Sequence, residues 1–184
     1  MSGHNKWSKI KHKKAASDAA KGRLFTKHAA VIAMESRKAS GNVASAGLAA
    51  AIERAKADSM PKENIERAIA KGRGTDGAAM TEVLFETFGP GGVAMLITAV
   101  TDNNNRTSQE VKHILSKAGY PLGAPGSAVW AFVKSGTGTY TPTMPMGLSD
   151  EDGEALGNLI EVLEEQADVQ EIFTTADSSD HETN

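Results

Sequence analysis

Apolar positions recur at two different periods along the chain, and the change of period divides it. From Ala15 onward, Leu24, Phe25, His28, Val31 and Ile32 fall at spacings of three and four, one stripe of an α-helix. Gly41 and Asn42 punctuate its end. Leu48, Ile52 and Ala55 predict a second helix, and Ser59-Met60-Pro61 opens a third, because proline suits a first turn whose N–H is unpaired anyway. Glu63 and Glu66 favour the positive end of that helix, Ile65, Ala68 and Ile69 line it, and Gly72 reads as its stop. Residues 15–78 are therefore expected to form a small alanine-rich helical bundle, with 73–80 as a linker.

Beyond residue 79 the period shortens. Residues 83–88 read as a strand, Gly89-Pro90-Gly91-Gly92 as a tight turn, and 93–100 as a continuous apolar central strand. Thr107-Ser108-Gln109-Glu110 has the form of a capping box, opening a helix with Val111, Ile114, Leu115 and Ala118 that Gly119 stops. Residues 127–133, with Trp130 and Phe132, read as a third strand. Ser135-Gly136-Thr137-Gly138 then closes a hairpin into a strand at 139–143. Ser149 caps a last helix carrying Leu156, Leu159, Ile160 and Leu163, and 169–174 make the final strand. After one leading strand the order is β-α-β-β-α-β, a ferredoxin-like plan with helices on one sheet face. The expected fold class is α+β: an N-terminal all-helical bundle followed by a ferredoxin-like α/β sandwich domain at 79–176. A basic flexible arm at 1–14 precedes it, and a polar, disordered tail at 177–184 follows.

Composition narrows the chemistry. The chain has 184 residues and no Cys, which excludes disulfides, Cys-ligated zinc, iron–sulfur clusters and thiol catalysis, and fits a reducing compartment. No apolar run approaches the roughly 18 residues of a membrane helix, and the N-terminus lacks the apolar core of a secretory signal. A cytoplasmic protein without membrane partners is expected. A mitochondrial matrix location is the alternative, because basic, acid-poor N-termini also occur in transit peptides.

The net charge of −3 conceals an asymmetry. Residues 1–40 carry ten Lys/Arg against two acids, a net of +8, whereas residues 136–184 carry twelve acids and no Lys or Arg. Such a split points to a polyanion-binding end.

Catalytic constellations are lacking. His4, His12, His28, His113 and His181 sit in five different settings with no metal-ligand spacing, and neither a nucleophile elbow nor a phosphate loop occurs. Asp150, Glu151, Asp152 and Glu154 suit the first turn of a helix better than a cation site. No enzyme activity, metal or cofactor is expected. Lys6, Lys9, Lys11, Lys13 and Lys14, with His12, Lys21, Arg23 and Lys27, supply the charge density that phosphate chains attract, and Lys71 and Arg73 extend it into the linker. Trp7 can stack on an unpaired base or anchor the arm on the bundle. Arg106, after Asn103-Asn104-Asn105, stands where a helix N-terminus can hold a phosphate; a plain loop and cap is the other reading.

The segments Gly3-His4-Asn5-Lys6-Trp7, Ile10-Lys11-His12-Lys13-Lys14, Lys21-Gly22-Arg23-Leu24-Phe25-Thr26-Lys27 and Met60-Pro61-Lys62-Glu63-Asn64-Ile65 closely resemble the YebC/PmpR family. So do Gly89-Pro90-Gly91-Gly92-Val93-Ala94, Thr101-Asp102-Asn103-Asn104-Asn105-Arg106-Thr107 and Leu148-Ser149-Asp150-Glu151-Asp152. That family includes the mitochondrial translational activator of cytochrome c oxidase. Its members usually carry a third domain inserted into the second; here a short Gly/Thr connection at 135–139 stands in its place, as a hairpin between neighbouring strands allows. The resemblance implies a nucleic-acid-facing regulator of gene expression. Bacterial members are labelled transcriptional regulators with DNA-binding roles, while the mitochondrial relative points to the ribosome and to difficult stretches of translation. An arm of Lys, His and one Trp suits irregular RNA, and no helix presents Arg, Asn and Gln as a base-reading set. The expectation is a non-enzymatic, RNA- and ribosome-associated translation factor that meets rRNA or tRNA. A DNA-binding transcription regulator is the alternative, and a protein–protein adaptor the rival of another class.

Overall fold

A computed structural model describes residues 18–74, 79–136 and 138–177. The expected arm at 1–14, the middle of the linker (75–78) and the tail from 178 lie outside the described residues. Helices α1 (Asp18–Lys38), α2 (Ala46–Ala57) and α3 (Lys62–Arg73) come first. Ile32, Leu48, Met60 and Ile65 with Ala51, Ala55 and Ala68 form their buried core. Three alanines among seven core residues make it thin but let the helices approach closely.

Gly72 shows how close. A Cβ there would lie 2.3 Å from the Ala33 carbonyl oxygen and 2.6 Å from Ser36 Cβ, while Ser36 Oγ donates to the Ile69 carbonyl at 2.8 Å. The sequence pattern makes Gly72 the helix stop; instead it lies inside α3, which Gly74 caps, and it serves the α1–α3 crossing. The α1–α2 turn runs through left-handed Ser40 and Gly41 (φ 49° and 75°). Arg73 lies over that glycine and donates Nη2 to its carbonyl at 2.6 Å.

The second unit comprises β1 (Thr81–Phe88), β2 (Ala94–Thr101), α4 (Asn104–Lys117), β3 (Phe132–Lys134), β4 (Tyr140–Pro142), α5 (Asp150–Glu165) and β5 (Val169–Thr174). Strand β2 is buried at every position, as its unbroken apolar run predicts, and it pairs antiparallel with β1 on one side and β5 on the other. Alternation then sorts its side chains. Met95, Ile97 and Ala99 pack with Val111 and Leu115 of α4 and with Leu156, Leu159 and Leu163 of α5. Ala94 and Leu96 meet Ala128, Ala131 and Phe132 on the opposite face. Each such Leu or Ile contributes about 1.5–3 kcal/mol by leaving water.

The expected plan of a helical bundle followed by an α+β unit is what the chain adopts, but the strand pairing differs in detail. The leading strand β1 takes the β2 edge that a four-stranded β-α-β-β-α-β sheet would give to another strand. Among the described residues the principal sheet therefore has three strands, and β3 and β4 pair only with each other, covering the face away from the helices. The strand expected at 127–133 is also shorter: residues 129–131 form a 3-10 turn and only Phe132–Lys134 is extended. The cause is Glu86 of β1, whose buried carboxylate accepts the N–H groups of Gly126, Ala128 and Val129 at 2.6, 2.7 and 2.8 Å. Those N–H groups are taken from any strand ladder.

One cap is as expected and one is not. Ser149 Oγ accepts from the Asp152 N–H at 3.1 Å. Helix α4, however, starts at Asn104, and Asn103 Oδ1 caps it by accepting from the Arg106 N–H at 3.1 Å. Thr107, the first residue of the apparent capping box, is buried one turn further in. The two units touch where Lys27 Nζ of α1 donates to the Glu164 carbonyl at the end of α5, at 2.9 Å.

Candidate nucleic-acid interface

Residues 18–74 hold eleven Lys/Arg and six acids, whereas residues 79–177 hold four Lys/Arg and fourteen acids. In the helical unit the Lys–Glu pairs among the described residues are local. Lys38 meets Glu35 at 2.7 Å, Lys56 meets Glu53 at 2.8 Å and Lys62 meets Glu66 at 3.5 Å, each pair three or four residues apart. His28 Nε2 lies 2.6 Å from Asp58 Oδ2 and pins α1 to the end of α2. Among the described residues, Lys21, Arg23, Arg37, Arg54 and Lys71 are exposed and make no ion pair or side-chain hydrogen bond. Exposed pairs of the first kind are worth only tenths of a kcal/mol, so a phosphate can displace them cheaply.

Of the residues expected to bind nucleic acid, Lys6, Trp7, Lys9, Lys11, His12, Lys13 and Lys14 lie outside the described residues. Arg23 and Lys27 stand one turn apart on one side of α1; Lys21, six residues before Lys27, projects from another side. Arg23 and Lys21 face solvent, whereas Lys27 is engaged with α5.

Arg106 is committed within the chain. Its Nη2 donates to Asp168 Oδ2 at 2.9 Å, Asp102 Oδ1 at 3.1 Å and Thr101 Oγ1 at 3.3 Å. Thr107 Oγ1 donates to the same Asp168 oxygen at 2.7 Å. Asp168 first and Asp102 second hold the guanidinium above its ordinary pKa. Burial pushes the Asp168 carboxyl up, but Thr107, Arg106 and Gln166 together bring it below its usual value. A phosphate at Arg106 would have to compete with two carboxylates already in place.

The pattern of the sequence names Lys71 and Arg73 at the basic end of α3 but does not bring the basic end of α1 beside it. Arg37, Ser40, Gly72, Arg73 and Gly74 line a notch of about 230 Å³ there. The available signal, cations in the last turn of each helix, is also the ordinary response to the helix dipole. The Gly72 crossing and the Arg73–Gly41 contact are what bring the two ends together. Among the described residues no group of three or more His, Asp or Glu side chains converges as a metal site would require, and no helix is long and apolar enough to cross a membrane.

Fold and surface together define a class: a basic three-helix module carried on an acidic α+β unit. A family model described as the TACO1/YebC protein N-terminal domain matches residues 5–75, and one described as the TACO1/YebC second and third domain matches 80–139. A "Probable transcriptional regulatory protein" of Thermotoga maritima is 50% identical over 138 residues, 74% of this chain and 54% of that protein. One of the same name from Desulforapulum autotrophicum is 44% identical over 179 residues, covering 91% of this chain and 72% of that protein. The crystal structure of a conserved hypothetical protein from Aquifex aeolicus matches with a TM-score of 0.84 and 30% identity, over 97% of this chain and 99% of that one. The chain belongs to the TACO1/YebC family. It spans about half the length of several relatives it matches, 54% of the Thermotoga maritima protein among them.

Proposed function

We propose that this chain is a non-enzymatic, cytoplasmic regulator of gene expression that binds nucleic acid, with unpaired RNA on the ribosome as its principal ligand. One observation carries the reading: the first 74 residues hold sixteen Lys/Arg against six acids, five of the described cations there are exposed without a side-chain partner, and the acids gather at the other end. Lysines 6, 9, 11, 13 and 14 with Arg23 neutralise phosphates, Trp7 stacks on a base, and the acidic α+β unit turns nucleic acid away from itself. The connection at 135–139 is read as standing where longer relatives carry a further domain.

The relatives' printed names favour a second reading, regulation of transcription through DNA. Fluorescence anisotropy with a labelled 20-nucleotide single strand of RNA, competed by duplex DNA at matched salt, separates the two. The first reading predicts that the duplex competes at least about tenfold less well than unlabelled RNA; equal or better competition by the duplex favours the second. If neither binds, both give way to a protein–protein adaptor.

A further inference from the structure

An open groove of about 520 Å³ runs between α4 and α5, lined by Glu110, His113 and Ile114 on one wall and Val162, Glu165 and Gln166 on the other. Its floor is apolar, with Val162 left 48% exposed. Its rim is anionic: Glu110 bonds only to the neutral Gln166 amide at 2.6 Å, and neither Glu110 nor Glu165 meets a base among the described residues. The end of α5 compounds this. A helix C-terminus is the negative pole and normally attracts cations, yet the last turn of α5 carries no base and ends on Glu164-Glu165. One cation already answers it, Lys27 of α1, which donates to the Glu164 carbonyl.

That contact places the groove beside the root of the N-terminal arm. Lys27 is nine residues into α1, so the helix begins about 14 Å away at 1.5 Å per residue. Seventeen residues precede Asp18, enough to reach up to about 56 Å when extended. They contain five lysines and no acid, and they carry Trp7 and Ile10 as apolar side chains. The groove offers the complement of both, carboxylates at the rim and Ile114 with Val162 on the floor.

We infer that the arm, residues 1–17, docks in the α4–α5 groove of its own chain and is displaced by nucleic acid, so that the acidic unit acts as an internal competitor for the phosphate-binding lysines. The docking stands on the groove and the arm alone; its regulatory consequence rests on the proposed function. Intramolecular attachment gives the arm a high effective concentration at the groove, so weak contacts suffice.

The chain has no Cys, so Ser8→Cys in the full-length protein gives a single attachment point for a nitroxide. Paramagnetic broadening of amide resonances at 50 mM salt should concentrate on Ile114, Val162 and their neighbours, and should fade at 500 mM. The double variant Glu110→Gln/Glu165→Gln should lose the broadening and bind the 20-nucleotide RNA about three- to tenfold more tightly at 50 mM salt. Absence of broadening at the groove, or broadening spread evenly over the molecule, overturns the docking whether or not RNA binds. Groove-specific broadening in a protein that binds no RNA upholds the docking and sinks the nucleic-acid reading instead.

Discussion

The two units use charged side chains in opposite ways. In the α+β unit a few of them hold the chain together: Glu86 ties residues 126–129 to β1, and Arg106 and Asp168, with the hydroxyl of Thr107, join the end of β2, the start of α4 and the approach to β5. In the helical unit they pair mainly with neighbours three or four residues away, and five cations among the described residues have no partner. Charge alone therefore does not mark an interface. What marks a polyanion interface is positive charge that the fold has not already used, and among the described residues most of it lies in the helical unit, five such cations there against Lys112 and Lys117 in the α+β unit.

Breaking the built-in side of this contrast should have the largest effect. Glu86→Leu leaves three backbone N–H groups without an acceptor and should cost about 3–5 kcal/mol, read as a lower urea midpoint. An unchanged midpoint would mean that water replaces the carboxylate and that the loop needs no anchor. The same residue governs acid sensitivity. Burial pushes the Glu86 carboxyl up, but the three N–H donors outweigh it and hold the group below its ordinary value. Asp168 is lowered as well. A carboxylate lowered in the folded state lends stability that is complete above its unfolded pKa and is lost as pH falls through the folded one. The urea midpoint should therefore drop as pH descends below the ordinary carboxylate range. A Glu86→Gln/Asp168→Asn variant should be weaker at neutral pH and respond less to acid.

Gly72→Ala should act on the helical unit, forcing α1 and α3 apart at a cost of about 1–3 kcal/mol. Amide exchange should quicken in α1 and α3 and stay unchanged in β2. The smallest stability effect belongs to the unpartnered cations. Arg54→Gln/Lys71→Gln should shift the midpoint by less than about 0.5 kcal/mol, because among the described residues nothing bonds to their side chains; a larger loss would place them with Glu86 and erase the contrast.

Much of this is legible in the amino-acid sequence. The periods of three to four and the unbroken run at β2 mark the helices and the central strand, the Ser149 cap is where its spacing puts it, and the charge split is arithmetic. What local pattern could not reveal depends on distant partners. Thr107 looks like a cap because the next residues fit a capping box, but its hydroxyl answers Asp168, 61 residues on. Residues 127–133 look like a strand because they are apolar, but a carboxylate some 40 residues earlier takes the N–H groups of Ala128 and Val129. Gly72 looks like a stop because glycine often is one, while its real neighbour is α1. For the candidate site, the sequence locates the basic half but cannot separate an outward cation such as Arg23 from a committed one such as Arg106.

The most direct test is the salt dependence of single-stranded RNA affinity, in the natural chain and in one with Lys6, Lys9, Lys11, Lys13 and Lys14 all changed to Gln. Each phosphate contact to a single strand contributes about 0.7 to the slope of log affinity against log salt, so five contacts predict a slope near −3.5 and roughly a hundredfold loss between 50 and 200 mM. Substitution should remove most of that slope along with the affinity. Equal slopes in the two proteins would contradict the account.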